Sequence, residues 1–318
     1  MQKRVLILLL IFMTAISTSL SAAPVGYSIN SDSGEDDSDG LYTIDLATGS
    51  EIQRIGTVQS LLQTRLDVEG LAFSPDGTLW GIDDESLKLF PIDISNAAID
   101  SSREVNIANI DPGQNDFGMT FACDNVLYVS SVAERSLYRL ALDGTATPIG
   151  GNGALGATIS ALAAYGNPVQ LYGLGNGSAS GAAGTSSLYQ INISTGVATK
   201  IGSLGASAGD YAEGGLAFDG SGQLWAITDR RPLELSSQVM KIDKATGAAS
   251  QIQTSSEAGY ESLAITIPGG CTTQHSGGDD DLVENRSTIS AVPTLNGYNL
   301  LLISILMLIT GLVATRRL

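Results

Sequence analysis

Glu69, Asp116, Glu213 and Glu261 each stand just ahead of a matching segment of a repeated sequence unit. Glu69 and Glu261 fall at the same position, and Asp116 and Glu213 one residue earlier. Carboxylates gathered at one point repel, so they share protons or hold a cation. An all-oxygen set suits a hard ion such as Ca²⁺. Asp83, Asp84, Asp229 and Arg230 follow the next segment of the same units and would border the same place. These eight residues form the candidate ligand-binding set, and no catalytic set is assigned. The plainer alternative is that the acids are solvated or hydrogen-bonded strand starts. A second candidate is the acidic run Asp32–Gly40, in which Glu35, Asp37, Asp39 and Gly40 match the opening spacing of an EF-hand loop. Leu46 stands where that loop needs its bidentate glutamate, so Asp32, Glu35, Asp37 and Asp39 are a candidate Ca²⁺ set of partial fit. The only histidine, His275, lies in a polar tail. The body therefore holds no Ser-His or Cys-His nucleophile pair and no His-based zinc or copper site.

The elements that would position these acids are legible as repeats. Gly70-Leu71-Ala72-Phe73 followed by Leu79-Trp80 recurs at Gly118–Tyr128, in degraded form at Leu162–Tyr172, and at Gly215–Trp225. Pro, Asp, Asn and Gly between the two halves predict a tight hairpin turn. The complementary unit, Leu41-Tyr42-Thr43-Ile44-Asp45, recurs from Leu89, Leu137, Leu188 and Val239, and its Thr48-Gly49 ending recurs at Thr195-Gly196 and Thr246-Gly247. Its alternation predicts strands with one buried face, and its Asx…Thr-Gly ending predicts a turn with glycine at positive φ. Four short strands in each unit predict a β-propeller blade. Five such units are counted, and the first is short of one strand. Glu261–Thr266 is an orphan strand that would complete it and close the ring, removing the sheet edges. Six blades or an open sandwich are the alternatives. Trp80 and Trp225 occupy matching positions and are expected to pack. Gly151–Gly156 spells a dinucleotide fingerprint with no βαβ unit around it, so it is expected to be a connector. Gly173–Gly184 is expected to be a long loop.

The two ends concern destination. Residues 1–23 have a basic start (Lys3, Arg4), an apolar stretch and small residues at Ser21-Ala22-Ala23, which predicts a secretory signal peptide. The other end carries Val292-Pro293-Thr294-Leu295, an apolar stretch Leu300–Ala314, then Arg316 and Arg317. That stretch makes about 22 Å of helix, enough with its flanks to cross a bilayer core, and the arginines would stay cytoplasmic. This tail resembles the IPTL-CTERM sorting tail of Gram-negative bacteria. The resemblance implies an exported protein of the cell envelope, cell surface or extracellular matrix, handled by a membrane-bound sorting or processing protease. A plain membrane anchor is the alternative. The body, over about 24–268, resembles secreted bacterial propellers with LYxID-xxTG repeats, which implies the architecture and no particular activity. Domains are expected at 1–23 (signal), 24–270 (propeller), 271–290 (acidic flexible linker) and 291–318 (sorting tail).

Four of the 16 basic residues and none of the 33 acidic ones lie in the end segments, leaving a body with 12 basic and 33 acidic groups and a net charge of −21. Such a surface repels nucleic acid and attracts divalent cations. Cys123 and Cys271, the only cysteines, are a candidate disulfide in an exported chain. A surface binding module for protein or polysaccharide is favoured. The other readings are a metal-dependent hydrolase or lactonase, and a structural surface component. Val68-Glu69-Gly70 is loosely similar to the first ligand segment of gluconolactonase-like enzymes, but the rest of that ligand set has no match here.

Overall fold

The computed structural model describes residues 24–31, 39–60, 67–111, 116–180, 185–265 and 267–271. They form five antiparallel sheets that are the five blades of a propeller. Blade one holds β1 (Val25–Asn30), β2 (Gly40–Asp45) and β3 (Glu51–Thr57). Blade two holds β4 (Val68–Phe73), β5 (Leu79–Asp83), β6 (Lys88–Ile92) and β7 (Val105–Asn106). Blade three holds β8 (Phe117–Phe121), β9 (Leu127–Ser131), β10 (Ser136–Leu140) and β11 (Ala146–Ile149). Blade four holds β12 (Ile159–Tyr165), β13 (Gln170–Gly175), β14 (Ser187–Ile191) and β15 (Ala198–Ser203). Blade five holds β16 (Gly214–Phe218), β17 (Leu224–Thr228), β18 (Gln238–Ile242) and β19 (Ala249–Thr254).

The innermost strands meet at the axis: β4 lies against β8, β8 against β12, and β12 against β16. Glycine makes this approach possible. A Cβ built on Gly118 falls 2.8 Å from the Ala161 Cα, and one on Gly215 falls 2.2 Å from the Leu263 backbone nitrogen. The glycine that opens the repeated unit is thus where neighbouring backbones nearly touch. The ring closes as the repeat count implies. Tyr27 and Ala264 exchange hydrogen bonds of 2.7 and 2.9 Å, and Asn30 bridges Tyr260, so 261–265 lies beside β1 as the inner strand of blade one. Glu51 reinforces this closure by accepting hydrogen bonds from the Ser256 and Glu257 N–H groups, both at 3.1 Å. Burial pushes its carboxyl up, but the Ser256 hydroxyl, which also donates to it, and these N–H groups outweigh that and hold it below its usual range.

Three sequence expectations need correction. The strands are not buried on one face only. β4, β5, β8 and β9 are buried at every residue, because each blade packs between two others. Exposure in the repeated third strands is confined to single positions such as Arg139 and Gln190. In blade four the hairpin register differs by one. Phe73 pairs with Leu79 and Phe218 with Leu224, but Ala164, not Tyr165, pairs with Leu171. Finally, Gly173–Gly175 are not loop but the end of β13, where Gly173 leaves room for Ile159 and Ile191.

The Asx…Thr-Gly turns form as their chemistry requires. The Oδ1 atoms of Asp45, Asn192 and Asp243 accept the N–H two residues on at 2.8–2.9 Å. Gly49, Gly196 and Gly247 take φ of 74°, 71° and 79°. Trp80 and Trp225 are 1% and 2% exposed, in packing roles. Gly151–Gly156 is the connector between β11 and β12.

The far end of the channel is lined mostly by apolar side chains. Phe73, Phe121, Phe218, Ile265 and Ile267 line a cavity of ≈ 30 Å³ there, with Pro268 and Gly269 beneath it. The Gly166 N–H donates to the Gly269 carbonyl at 2.9 Å. Cys271, just past the closing strand, is disulfide-bonded to Cys123 in the blade-three turn. Residues 267–269 therefore line this end of the channel, and the strand starts stand at the other.

Candidate functional site

Four blades repeat one backbone clasp at the mouth. The residue before each inner strand offers its carbonyl to the N–H of the residue after each second strand. The pairs are Asp84 to Asp67 (3.1 Å), Val132 to Asp116 (3.0 Å), Asn176 to Thr158 (3.1 Å) and Asp229 to Glu213 (2.8 Å). Asp67, Asp116, Thr158 and Glu213 thus form one tier, and Asp84, Val132, Asn176 and Asp229 a second. A third tier comes from bulges. Between Val68 and Gly70 the β4–β5 register shifts by one, leaving Glu69 as the extra residue. Ser160 is the extra residue of β12. Glu261 lies in the stretch where three residues, 261–263, face two, 28 and 29, between the bridges to β1. A bulge re-aims its side chain, and here it supplies two buried acids: Glu69 and Glu261 are each 5% exposed.

The acids do meet. One oxygen each from Asp67, Glu69 and Asp84 lie within 4.8 Å of one another, and the same holds for Glu69, Asp116 and Glu213. Glu69 belongs to both triads. Burial pushes its carboxyl well above the usual carboxylate range, and the charges of Glu261, Glu213, Asp116 and Asp67 push it further. Burial also raises Glu213, joined by Asp116, which both repels it and shares a hydrogen bond with it. Burial and then the charges of Asp67, Asp116 and Asp83 push Asp84 up to about 8. One Asp84 oxygen is buried with no hydrogen-bond partner. Glu261 accepts a hydrogen bond from the Ser31 hydroxyl at 2.7 Å.

Blade four is the neutral arc. Thr158 stands where blades two, three and five carry an acid, Asn176 where blades two and five do, and Ser160 at the bulge that Glu69 occupies in blade two. All three are buried, and their side-chain polar atoms find no protein partner. Ser160, 3% exposed, lines with Glu69 and Glu261 a cavity of ≈ 10 Å³. That is room for about one water-sized particle.

Other sequence candidates serve the frame. Asp83 is 1% exposed; its carboxylate accepts the Asp67 N–H at 3.3 Å and the Ser86 hydroxyl, so it ties down the loop. Asp229 is also 1% exposed and accepts the N–H groups of Arg231 and Gly259, both at 2.9 Å. Arg230 donates to the Asp210 carbonyl at 3.1 Å, away from the triads. Asp83 and Asp229 thus border the mouth, where their charges act on Asp84 and Glu213, but carboxylate oxygens of both are held by protein donors, and Arg230 turns to the Asp210 carbonyl. Arg231 donates to the Ser31 carbonyl at 2.7 Å and steadies the approach to the closing strand. Asp32, Glu35 and Asp37 lie outside the described residues. Asp39 is 0% exposed at φ 59°, and its N–H donates to the Asn30 carbonyl at 2.8 Å. The signal and sorting-tail residues also lie outside, as does the linker apart from Cys271, which the disulfide ties to Cys123. Among the described residues no helix is long and apolar enough to cross a membrane. Asp67 was missed in the sequence. Its only signal was the one-residue offset between Glu69 and Asp116, which a bulge explains.

No protein-family model matches the chain, and no curated protein is similar to it. Among solved structures it is similar to virginiamycin B lyase from Staphylococcus aureus, at 16% identity over 73% of this chain and 70% of that one, with a TM-score of 0.41. A nidogen/laminin complex structure gives 15% identity over 78% and 82%, with a TM-score of 0.47. A protein of unknown function from Bacteroides caccae gives 10% identity over 76% and 99%, with a TM-score of 0.46. At these values none of them bears on what the acid mouth does.

Proposed function

We propose that this chain is an exported, tail-sorted β-propeller of a Gram-negative cell surface that binds its partner through a divalent cation, Ca²⁺ in type, at the acid mouth of its channel. The observation that carries the reading is the shared Glu69. Two carboxylate triads converge on one buried glutamate, which also lines a small channel cavity with Ser160 and Glu261. Uncompensated, this arrangement costs folding free energy through desolvation and like-charge repulsion. A bound cation offsets both. An ion that takes 6–8 oxygens keeps positions open beyond the protein's own, and these would go to hydroxyl or carboxylate oxygens of a surface polysaccharide or protein. The rigid blades hold the mouth fixed, which lowers the ordering cost of binding. The export signal and the IPTL-CTERM-like tail support the location.

Asp116→Asn combined with Glu213→Gln is expected to weaken Ca²⁺-dependent binding to cell-surface polysaccharide or protein at least tenfold, measured on immobilised surface extracts in Ca²⁺ and in EDTA. Binding that is equal in EDTA and in the double variant would contradict the reading. One observation favours hydrolysis as a second reading. A carboxyl held near 8, Asp84, could exchange a proton near neutral pH beside a metal-polarised carbonyl. Turnover of lactones or esters that is lost in Asp84→Asn would favour that reading.

A further inference from the structure

The number of acids at the mouth exceeds what one cation compensates. Asp67, Glu69, Asp84, Asp116, Glu213 and Glu261 would carry six negative charges if fully ionised. One divalent ion leaves four of them uncompensated in a largely buried place, and two ions leave two. The spacing fits this count. Oxygens on opposite sides of a Ca²⁺ lie about 4.6–5.2 Å apart, from metal–oxygen distances of about 2.3–2.6 Å. Each triad has its oxygens within 4.8 Å. A carboxylate has two oxygens, so the residue common to both triads can serve two ions at once, as bridging carboxylates do in two-metal sites.

An independent observation points to a guest in the mouth. The Ser160 hydroxyl is buried without a protein partner, in a residue 3% exposed that lines the channel cavity together with Glu69 and Glu261. Buried polar atoms are nearly always satisfied. An ion or its bound water in that cavity would satisfy this one.

We infer that the mouth holds two divalent cations, one among Asp67, Glu69 and Asp84 and one among Glu69, Asp116 and Glu213, with Glu69 as the shared ligand. This rests on the cation reading above and extends it. The second ion would sit on the side of the blade-three and blade-five acids. A multidentate partner with several oxygens, such as an acidic sugar chain, could then span both ions.

The test is equilibrium dialysis of the full-length chain in detergent against Ca²⁺, comparing wild type with E69Q, D84N and D116N. Ions held elsewhere on the chain cancel in the differences. The inference expects E69Q to lose two Ca²⁺ per chain, and D84N and D116N to lose one each, with far-ultraviolet circular dichroism unchanged. If E69Q does not fold, D84N and D116N decide: each must lose one ion and the double variant two. A loss of one ion in all variants, single and double, would overturn the second ion and leave the cation reading standing. No loss in any variant would overturn both, leaving a mouth that shares protons.

Discussion

Without divalent cations, the protein is expected to lose thermal stability as the pH rises from about 4 to about 8. Glu69, Glu213 and Asp84 all have carboxyls raised by folding, Asp84 to about 8. A group raised in the folded state binds its proton more tightly there than in the unfolded chain. Its contribution is therefore fully present below the unfolded value, near 4, and is lost as the pH passes through the folded value. The ordinary carboxylates of the surface act the other way. Asp76, for example, is held low by the Ser74 hydroxyl and the Thr78 N–H, so such groups lose stability in acid. The mouth effect should emerge between pH 5 and 8, where those groups are already ionised. Its size is on the order of 2–3 kcal/mol after allowing for solvent screening, or roughly 5–10 °C. Ca²⁺ should remove the decline by replacing the shared protons. A hundredfold excess over Kd would add about 2.7 kcal/mol for each ion at pH 8 and much less at pH 4.5. Calorimetric melting at pH 4.5, 6 and 8, in EDTA and in Ca²⁺, reads this directly. A melting temperature that rises steadily to pH 8 in EDTA would mean that the acids are solvated.

Replacing Cys123 and Cys271 together by serine is expected to cost about 2–4 kcal/mol, with an upper limit of about 5 kcal/mol from the closed loop. The two cysteines are 148 residues apart, so the bond restricts much of the unfolded chain. It also holds residues 267–269 at the mostly apolar end of the channel. Loss of the bond should lower the midpoint of urea unfolding and speed amide exchange of Gly166, which donates to Gly269. Ca²⁺ binding should remain, because the acids stand at the opposite mouth. An unchanged midpoint would show that this end of the channel holds without the bond. Lost Ca²⁺ binding would show that the two ends are coupled.

The fold was legible in the sequence because a propeller repeats its chemistry. The Leu-Tyr-x-Ile-Asp units fall on β2, β6, β10, β14 and β18, the same strand of each blade. The orphan segment after Glu261 closes blade one because its apolar residues needed a partner that only the short first unit lacked. The site was legible in outline and not in its tiers. Glu69 and Asp116 looked one residue apart, yet a bulge lifts Glu69 out of the ladder and makes Asp67 the true counterpart of Asp116. A bulge depends on pairing across strands, which a single strand's sequence does not carry. Asp83 and Asp229 resembled ligands because charge is visible in sequence, whereas the backbone N–H groups that capture them are not. The neutral arc of Thr158, Ser160 and Asn176 was hidden by the one-residue register difference of blade four.

The most direct test of the central claim is anomalous diffraction from crystals of the protein grown with Mn²⁺. A divalent cation at the mouth predicts anomalous peaks among the oxygens of Asp67, Glu69, Asp84, Asp116 and Glu213, and their disappearance in E69Q. A mouth with no peak at millimolar Mn²⁺ near pH 8, holding only water between the carboxylates, would contradict it.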